Sequence, residues 1–163
     1  MARVLIVGCG CRGRSLAAAL LAEGYAVRGS TRVRGKLEQI AASGAEGVIA
    51  DPDRLATLTP LLDGASALCW LMGSATGAPE QIEALHGPRL RSLLETLIDT
   101  HVRGVVYEAG GGAERSLRAR GADTVREIGQ THHMPVSVVD APPGEPDTWL
   151  AAMTAAVGEV LSP

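Results

Sequence analysis

The sequence predicts an α/β fold of three layers, a doubly wound parallel sheet of about six strands between two sets of helices. Three observations support it. Val4-Leu5-Ile6-Val7 is an unbroken branched apolar run, the mark of a strand buried on both faces. That run enters Gly8-x-Gly10-x-x-Gly13, and a segment with helical spacing of Leu16, Leu20 and Leu21 comes at once after it. Beyond it, short apolar runs alternate with amphipathic ones, and no linker or low-complexity tract intervenes. One domain over residues 1–163 is the expected organisation.

Arg3–Val7 reads as the first strand and Arg12–Glu23 as the first helix, stopped by Gly24. Tyr25–Ser30 is the second strand, Gly35–Ser43 a helix ended by Gly44, and Glu46–Ala50 the third strand. Arg54–Leu62 is a helix for which Asp51 or Asp53 offers a cap. Ser66–Met72 is an apolar fourth strand running into the small-residue loop Gly73-Ser74-Ala75-Thr76-Gly77. Two helical pieces, Pro79–His86 and Pro88–His101, are split by Gly87-Pro88. On the second, Leu90, Leu93, Leu94, Leu97 and Ile98 form a stripe that reads as core, or alternatively as a dimer face. Arg103–Tyr107 is the fifth strand, entering Glu108-Ala109-Gly110-Gly111-Gly112. Ala113–Arg120 and Ala122–Thr131 are charged helical segments around Gly121, with His132-His133 ending the second. Val136–Asp140 is the sixth strand, and Asp147–Leu161 a closing helix with Leu150, Met153, Val157, Val160 and Leu161 inward.

Composition excludes several functions. Net charge is −3 and the aromatics are only two Trp and two Tyr, so neither the basic footprint nor the stacking platform of a nucleic-acid binder is present. Three cysteines without C-x-x-C spacing predict neither a disulfide framework nor a zinc site, and point to a reducing cytoplasm. No apolar run reaches membrane-spanning length, and no secretory leader is apparent, so a cytoplasmic location without membrane attachment is expected.

The strand–glycine–helix unit has the arrangement of a dinucleotide-binding Rossmann turn. Gly8 permits the bend, Gly10 leaves the backbone open to a pyrophosphate, and Gly13 lets helix and strand pack closely. The helix N-terminus would face the phosphates; the alternative is a merely structural turn. The second strand ends in Ser30-Thr31-Arg32-Val33-Arg34, without the acid that bonds an NAD ribose. Guanidinium groups there favour the 2′-phosphate of NADP, with NAD as the alternative cofactor, unless Arg32 and Arg34 simply open the next helix. Asp51, at the edge where ligands collect, could accept a bond from an adenine amino group.

The pattern Val-Leu-Ile-Val-Gly-Cys-Gly-x-x-Gly-x-x-Leu-Ala-x-x-Leu-x-x-x-Gly-x-x-Val-x-Gly-x-x-Arg, from Val4 to Arg32, resembles the opening of atypical short-chain dehydrogenase/reductases, particularly the nucleoside-diphosphate-sugar epimerase-like branch. Looser similarity continues at Asp51-Pro52, at Val105-Val106-Tyr107, at Thr124–Glu127 and in the prolines around the sixth strand. The resemblance implies an NAD(P)-binding Rossmann domain. It implies cofactor contacts from Gly8, Gly10, Cys11, Arg12 and Gly13, from Thr31 and Arg32, from Asp51 and Pro52, and from Leu71, Met72 and Gly73. It also implies a larger substrate-binding region after the sixth strand, which the residues up to Pro163 do not supply.

Catalytic residues are not assigned. The superfamily's Tyr-x-x-x-Lys proton shuttle is absent: Tyr107 is followed four positions on by Gly111, Tyr25 by Gly29, and the sole lysine, Lys36, has no tyrosine four positions before it. A Tyr107–Glu108 pair at the sheet edge could move a proton, or Tyr107 could be core. Adjacent His132 and His133 would not converge on one metal. Cys9 and Cys11 could be redox-sensing thiols or small loop-filling residues. Two readings are open: an NADP-preferring oxidoreductase of unknown small-molecule substrate, held at a homodimer interface or by a partner, or a non-catalytic NAD(P)-binding sensor or regulatory module.

Overall fold

The computed structural model describes Met1–Pro163 and shows one six-stranded, wholly parallel sheet. The strands are β1 (Arg3–Val7), β2 (Ala26–Thr31), β3 (Glu46–Ile49), β4 (Ala67–Trp70), β5 (Gly104–Glu108) and β6 (Val136–Val139), in the spatial order β3-β2-β1-β4-β5-β6. Registers such as Ile6 opposite Gly29 and Ile6 opposite Cys69 fix β1 at the centre. Strand order therefore reverses between β1 and β4, which opens a crevice at the carboxyl edge of the sheet.

The helices are α1 (Cys11–Ala22), α2 (Leu37–Ala42), α3 (Leu55–Leu58), α4 (Pro79–Leu85), α5 (Pro88–Leu97), α6 (Arg115–His132) and α7 (Pro146–Leu161). Alternation along the strands divides the core in two. Val4 and Ile6 face α1 and α7 with Leu16, Leu20, Met153 and Val157; Leu5 and Val7 face the opposite layer with Leu90, Leu94, Leu97 and Val125. Val4 to Val7 are fully buried, as an unbroken apolar run in a doubly covered sheet requires. The stripe on α5 is core: Leu90, Leu93, Leu94 and Leu97 are fully buried, and Ile98 lies past the helix end, partly exposed. No helix is long and apolar enough to cross a membrane.

Three expectations are corrected. The helix foreseen over 54–62 is a single α turn, α3, followed by a 3-10 turn over Thr59–Leu62, because Pro60 has no N–H to continue the α ladder. Arg54, not Asp51 or Asp53, stands at its N-cap, and no side chain caps it. The two segments foreseen around Gly121 are one continuous helix, α6. Gly121 is there for closeness rather than for a break: any Cβ on it would collide with the Tyr107 hydroxyl.

Candidate functional site

The crevice between β1 and β4 holds a cavity of about 350 Å³, within the size range of small-ligand sites. Its floor is the β1–α1 turn, Gly8 to Gly13. Gly8 has φ +88°, and a Cβ there would strike the Met72 methyl and lie 2.6 Å from the Leu71 carbonyl, so only glycine fits the bend. At Gly10, by contrast, a Cβ would meet no atom within 4 Å: its surface is open. Gly13 packs its helix turn onto β1, where a Cβ would stand 3.3 Å from the Cys9 sulfur and the Gly8 carbonyl. α1 starts on Gly10 with no side-chain cap and no acid in its first turn, which leaves its first N–H groups and its positive dipole end uncompensated.

One wall comes from the end of β2 and the turn after it: Ser30, Thr31, Arg32, Val33 and Lys36. Ser30 is buried and braces the turn, its hydroxyl accepting from Gly8 N–H at 3.3 Å and its carbonyl from Cys9 N–H at 2.8 Å. Arg32 and Lys36 are exposed and make no ion pair. The other walls are Ala50 and Pro52 after β3, and Leu71, Met72 and Ser74–Thr76 after β4, with Leu85 behind. No aspartate or glutamate lines the cavity, while Arg12, Arg32 and Lys36 do.

The residues singled out in the sequence thus converge, with three exceptions. Asp51 does not face the cavity. Its Oδ1 accepts the Asp53 N–H at 2.9 Å, closing an Asx turn, and its backbone is clamped to the Thr57 hydroxyl, so its carboxylate organises the loop. Gly73 lies behind the wall, against the backbone of Gly110 and Gly111. Arg34 gives way to Lys36, because the 3-10 turn Arg34–Lys36 brings the lysine round to the cavity; a helix-start reading of the sequence does not anticipate that turn.

Arg12 does more than edge the β1–α1 turn. Its guanidinium crosses to the end of β5, pairs with the fully buried Glu108, donates to Ser74 Oγ at 3.0 Å and stacks over Trp149 with its carbon 5.1 Å from the ring centroid. Glu108 also accepts Trp149 Nε1–H at 2.9 Å and Gly73 N–H at 3.2 Å. Each of its oxygens is engaged, so Glu108 is a structural anchor. The neighbouring Tyr107 points to the opposite face, where its hydroxyl is 2.6 Å from His86 Nδ1. His86 Nε2 lies 3.1 Å from the Met72 carbonyl, which can only accept; Nε2 therefore carries the proton and Nδ1 accepts from Tyr107. Burial holds His86 below its ordinary pKa and pushes the Tyr107 phenol up. Tyr107 and Glu108 are on different sides of the sheet and cannot act as a pair. The sequence signal for Trp149 is its register with Met153, Ala156, Val157 and Val160 on one face of α7, all buried.

The thiols differ from one another. Cys9 and Cys69 are buried, and burial pushes them up to about 11 and about 12, whereas Cys11 is exposed at the start of α1. A thiol reagent at pH 8 is expected to label Cys11 alone in the folded protein and all three after denaturation; labelling of Cys9 without unfolding would contradict its burial.

No protein-family model and no curated protein matches the chain. Solved structures do match it in fold. A short-chain dehydrogenase/reductase superfamily protein from Agrobacterium tumefaciens with bound NAD aligns over 85% of this chain and 48% of its own, at 20% identity and a TM-score of 0.70. The UDP-glucose 4-epimerase of Thermotoga maritima, with UDP-glucose, aligns over 85% and 54% at 12% identity and a TM-score of 0.72. A UDP-glucuronic acid 4-epimerase from Bacillus cereus in complex with NAD aligns over 85% and 56% at 16% identity and a TM-score of 0.68. The chain spans about half the length of these structures. It has the Rossmann fold that short-chain dehydrogenase/reductases and sugar-nucleotide epimerases carry, as the sequence resemblance implied.

Proposed function

We infer that this chain binds a nicotinamide dinucleotide in the β1–β4 crevice, prefers NADP to NAD, and is an oxidoreductase-like module of the atypical short-chain dehydrogenase/reductase type. The observation that carries the reading is the charge of the cavity: an uncapped helix start at Gly10, two unpaired cations at Arg32 and Lys36, and no acid on any wall. The pyrophosphate would lie on the N–H groups of Cys11, Arg12 and Gly13, with Gly10 giving room for close approach. Adenine would rest between Val33 and Pro52, and the ribose on Thr31. A 2′-phosphate would take charge-assisted hydrogen bonds from Arg32 and Lys36, which a free 2′-hydroxyl cannot match. NAD held in neighbours of the same fold supports the dinucleotide class.

A second reading, binding without turnover, is favoured by the state of the side chains past the crevice. Glu108 is fixed by Arg12, Trp149 and Gly73, and Tyr107 by His86, so neither is poised to exchange a proton with a substrate.

Arg32→Ala and Lys36→Ala test the cofactor preference. Each variant is expected to bind NADP about tenfold more weakly, the loss of one charge-assisted bond of about 1.5 kcal/mol, while NAD binding stays within about twofold. Both residues are exposed, so the fold should be unaffected. Equal losses for NADP and NAD, measured by calorimetry, would contradict a 2′-phosphate at this wall.

A further inference from the structure

A doubly wound sheet of this order is two mononucleotide-binding halves, β1-β2-β3 and β4-β5-β6, and a dinucleotide lies across both. Here the halves differ. The cavity is lined from β1, β2, β3 and the loop after β4, and receives nothing from β5, β6 or α7. The chain itself closes the crevice between the halves, and a second cavity at the ends of β5 and β6, lined by Ala109, Arg115, Arg118 and Asp140, is separate from the first. Arg12 leaves the α1 turn and spans the crevice to Glu108 on β5, stacked on Trp149 of α7 and tied to Ser74 of the β4 loop. Behind this bridge the backbones of the three loops are in contact. The Ala113 N–H donates to the Gly73 carbonyl at 2.8 Å, the Ala109 N–H to the Val139 carbonyl at 2.8 Å, and a Cβ on Gly110 would stand 2.5 Å from the Ala141 carbonyl. A Cβ on Gly73 would strike the Gly110 carbonyl and one on Gly111 the Gly73 backbone, so neither could carry a side chain.

We propose that the site is a half-site: it recognises the adenosine diphosphate moiety with its 2′-phosphate, and the Arg12–Glu108 bridge ends it before the nicotinamide riboside, which adds no affinity. The ligand class is thus any adenine nucleotide bearing a 2′-phosphate. The inference rests on the NADP reading above and narrows it to one end of the molecule.

Several features act in one direction. The free cations, Arg32 and Lys36, stand on the β2 side, where an adenosine phosphate would lie. On the other side, Arg12 is matched by Glu108, and Arg118 donates to the Ala109 and Ala113 carbonyls, so neither guanidinium beside the bridge is free for a ligand. Opening it would strip a buried carboxylate of its partner, a cost that nicotinamide contacts would have to exceed.

The test titrates the whole chain with NADP, adenosine 5′-diphosphate 2′-phosphate and nicotinamide mononucleotide. The phosphorylated ADP is expected to bind within about threefold of NADP, and the mononucleotide to show no saturable heat. NADP binding about tenfold or more tighter than the phosphorylated ADP would overturn the half-site while leaving the NADP reading intact. Failure of both to bind would overturn both. The double variant Arg12→Ala/Glu108→Gln removes the bridge without leaving a bare carboxylate. It should raise the preference for NADP over the phosphorylated ADP by about tenfold. An unchanged ratio in the folded variant would show that the bridge does not end the site.

Discussion

Glu108→Ala is expected to destabilise the fold by about 3–5 kcal/mol, the range for breaking a buried ion pair. The carboxylate is fully buried and is the common acceptor for Arg12, the Trp149 indole N–H and the Gly73 N–H. Truncation orphans all three donors and leaves a guanidinium over Trp149 with no countercharge. For a chain of this length such a loss lowers Tm by roughly 6–20 °C. Glu108→Gln keeps an acceptor oxygen for one donor and fills the same volume, so its loss should be distinctly smaller. Thermal unfolding of the two variants checks this. A Glu108→Ala protein as stable as the parent would mean that the cluster does not exist in solution.

Gly10→Val should abolish measurable dinucleotide binding, at least about a hundredfold, without loss of stability. The same substitution at Gly8 should cost stability itself. The two glycines are two residues apart and face different constraints. Gly8 holds a positive φ against Met72 and Leu71, so a side chain is excluded by the fold. Gly10 has φ −83°, which any residue adopts, and open space where its Cβ would project. No contact within the fold excludes a side chain at Gly10, whereas a pyrophosphate on the turn would. A stable Gly10→Val protein that still bound NADP would remove the pyrophosphate from the β1–α1 turn.

The fold was largely legible in the sequence, because its signals are local. A four-residue apolar run, three glycines at fixed spacing and the recurring strand–helix alternation define the central strand, the turn and the layer class. Thr31 and Arg32 were legible as cavity-lining residues because they lie at the carboxyl end of a strand; Leu71 and Met72 were implied by the family resemblance alone, and they line the same edge. Long-range side-chain pairing was not. Arg12 and Glu108 are 96 positions apart, and Glu108 and Trp149 are 41 apart; nothing in the neighbourhood of either announces its partner. Asp51 shows a different limit. An acid at a strand end can serve a ligand or its own loop, and here the Asp53 N–H and the Thr57 hydroxyl hold it in the loop. Gly121 misled in a third way, since a glycine inside a charged segment reads as a break until the tyrosine pressed against it is known.

Calorimetric titration of the chain with NADP and with NAD in the same buffer tests the crevice as a cofactor site for a 2′-phosphorylated dinucleotide. Binding of NADP is expected to be saturable and one-to-one, at least about tenfold tighter than that of NAD, and weakened by added salt, as for a phosphate held by exposed cations. Equal binding of the two would contradict the role given to Arg32 and Lys36, and no binding of either would make the glycine turn a purely structural one.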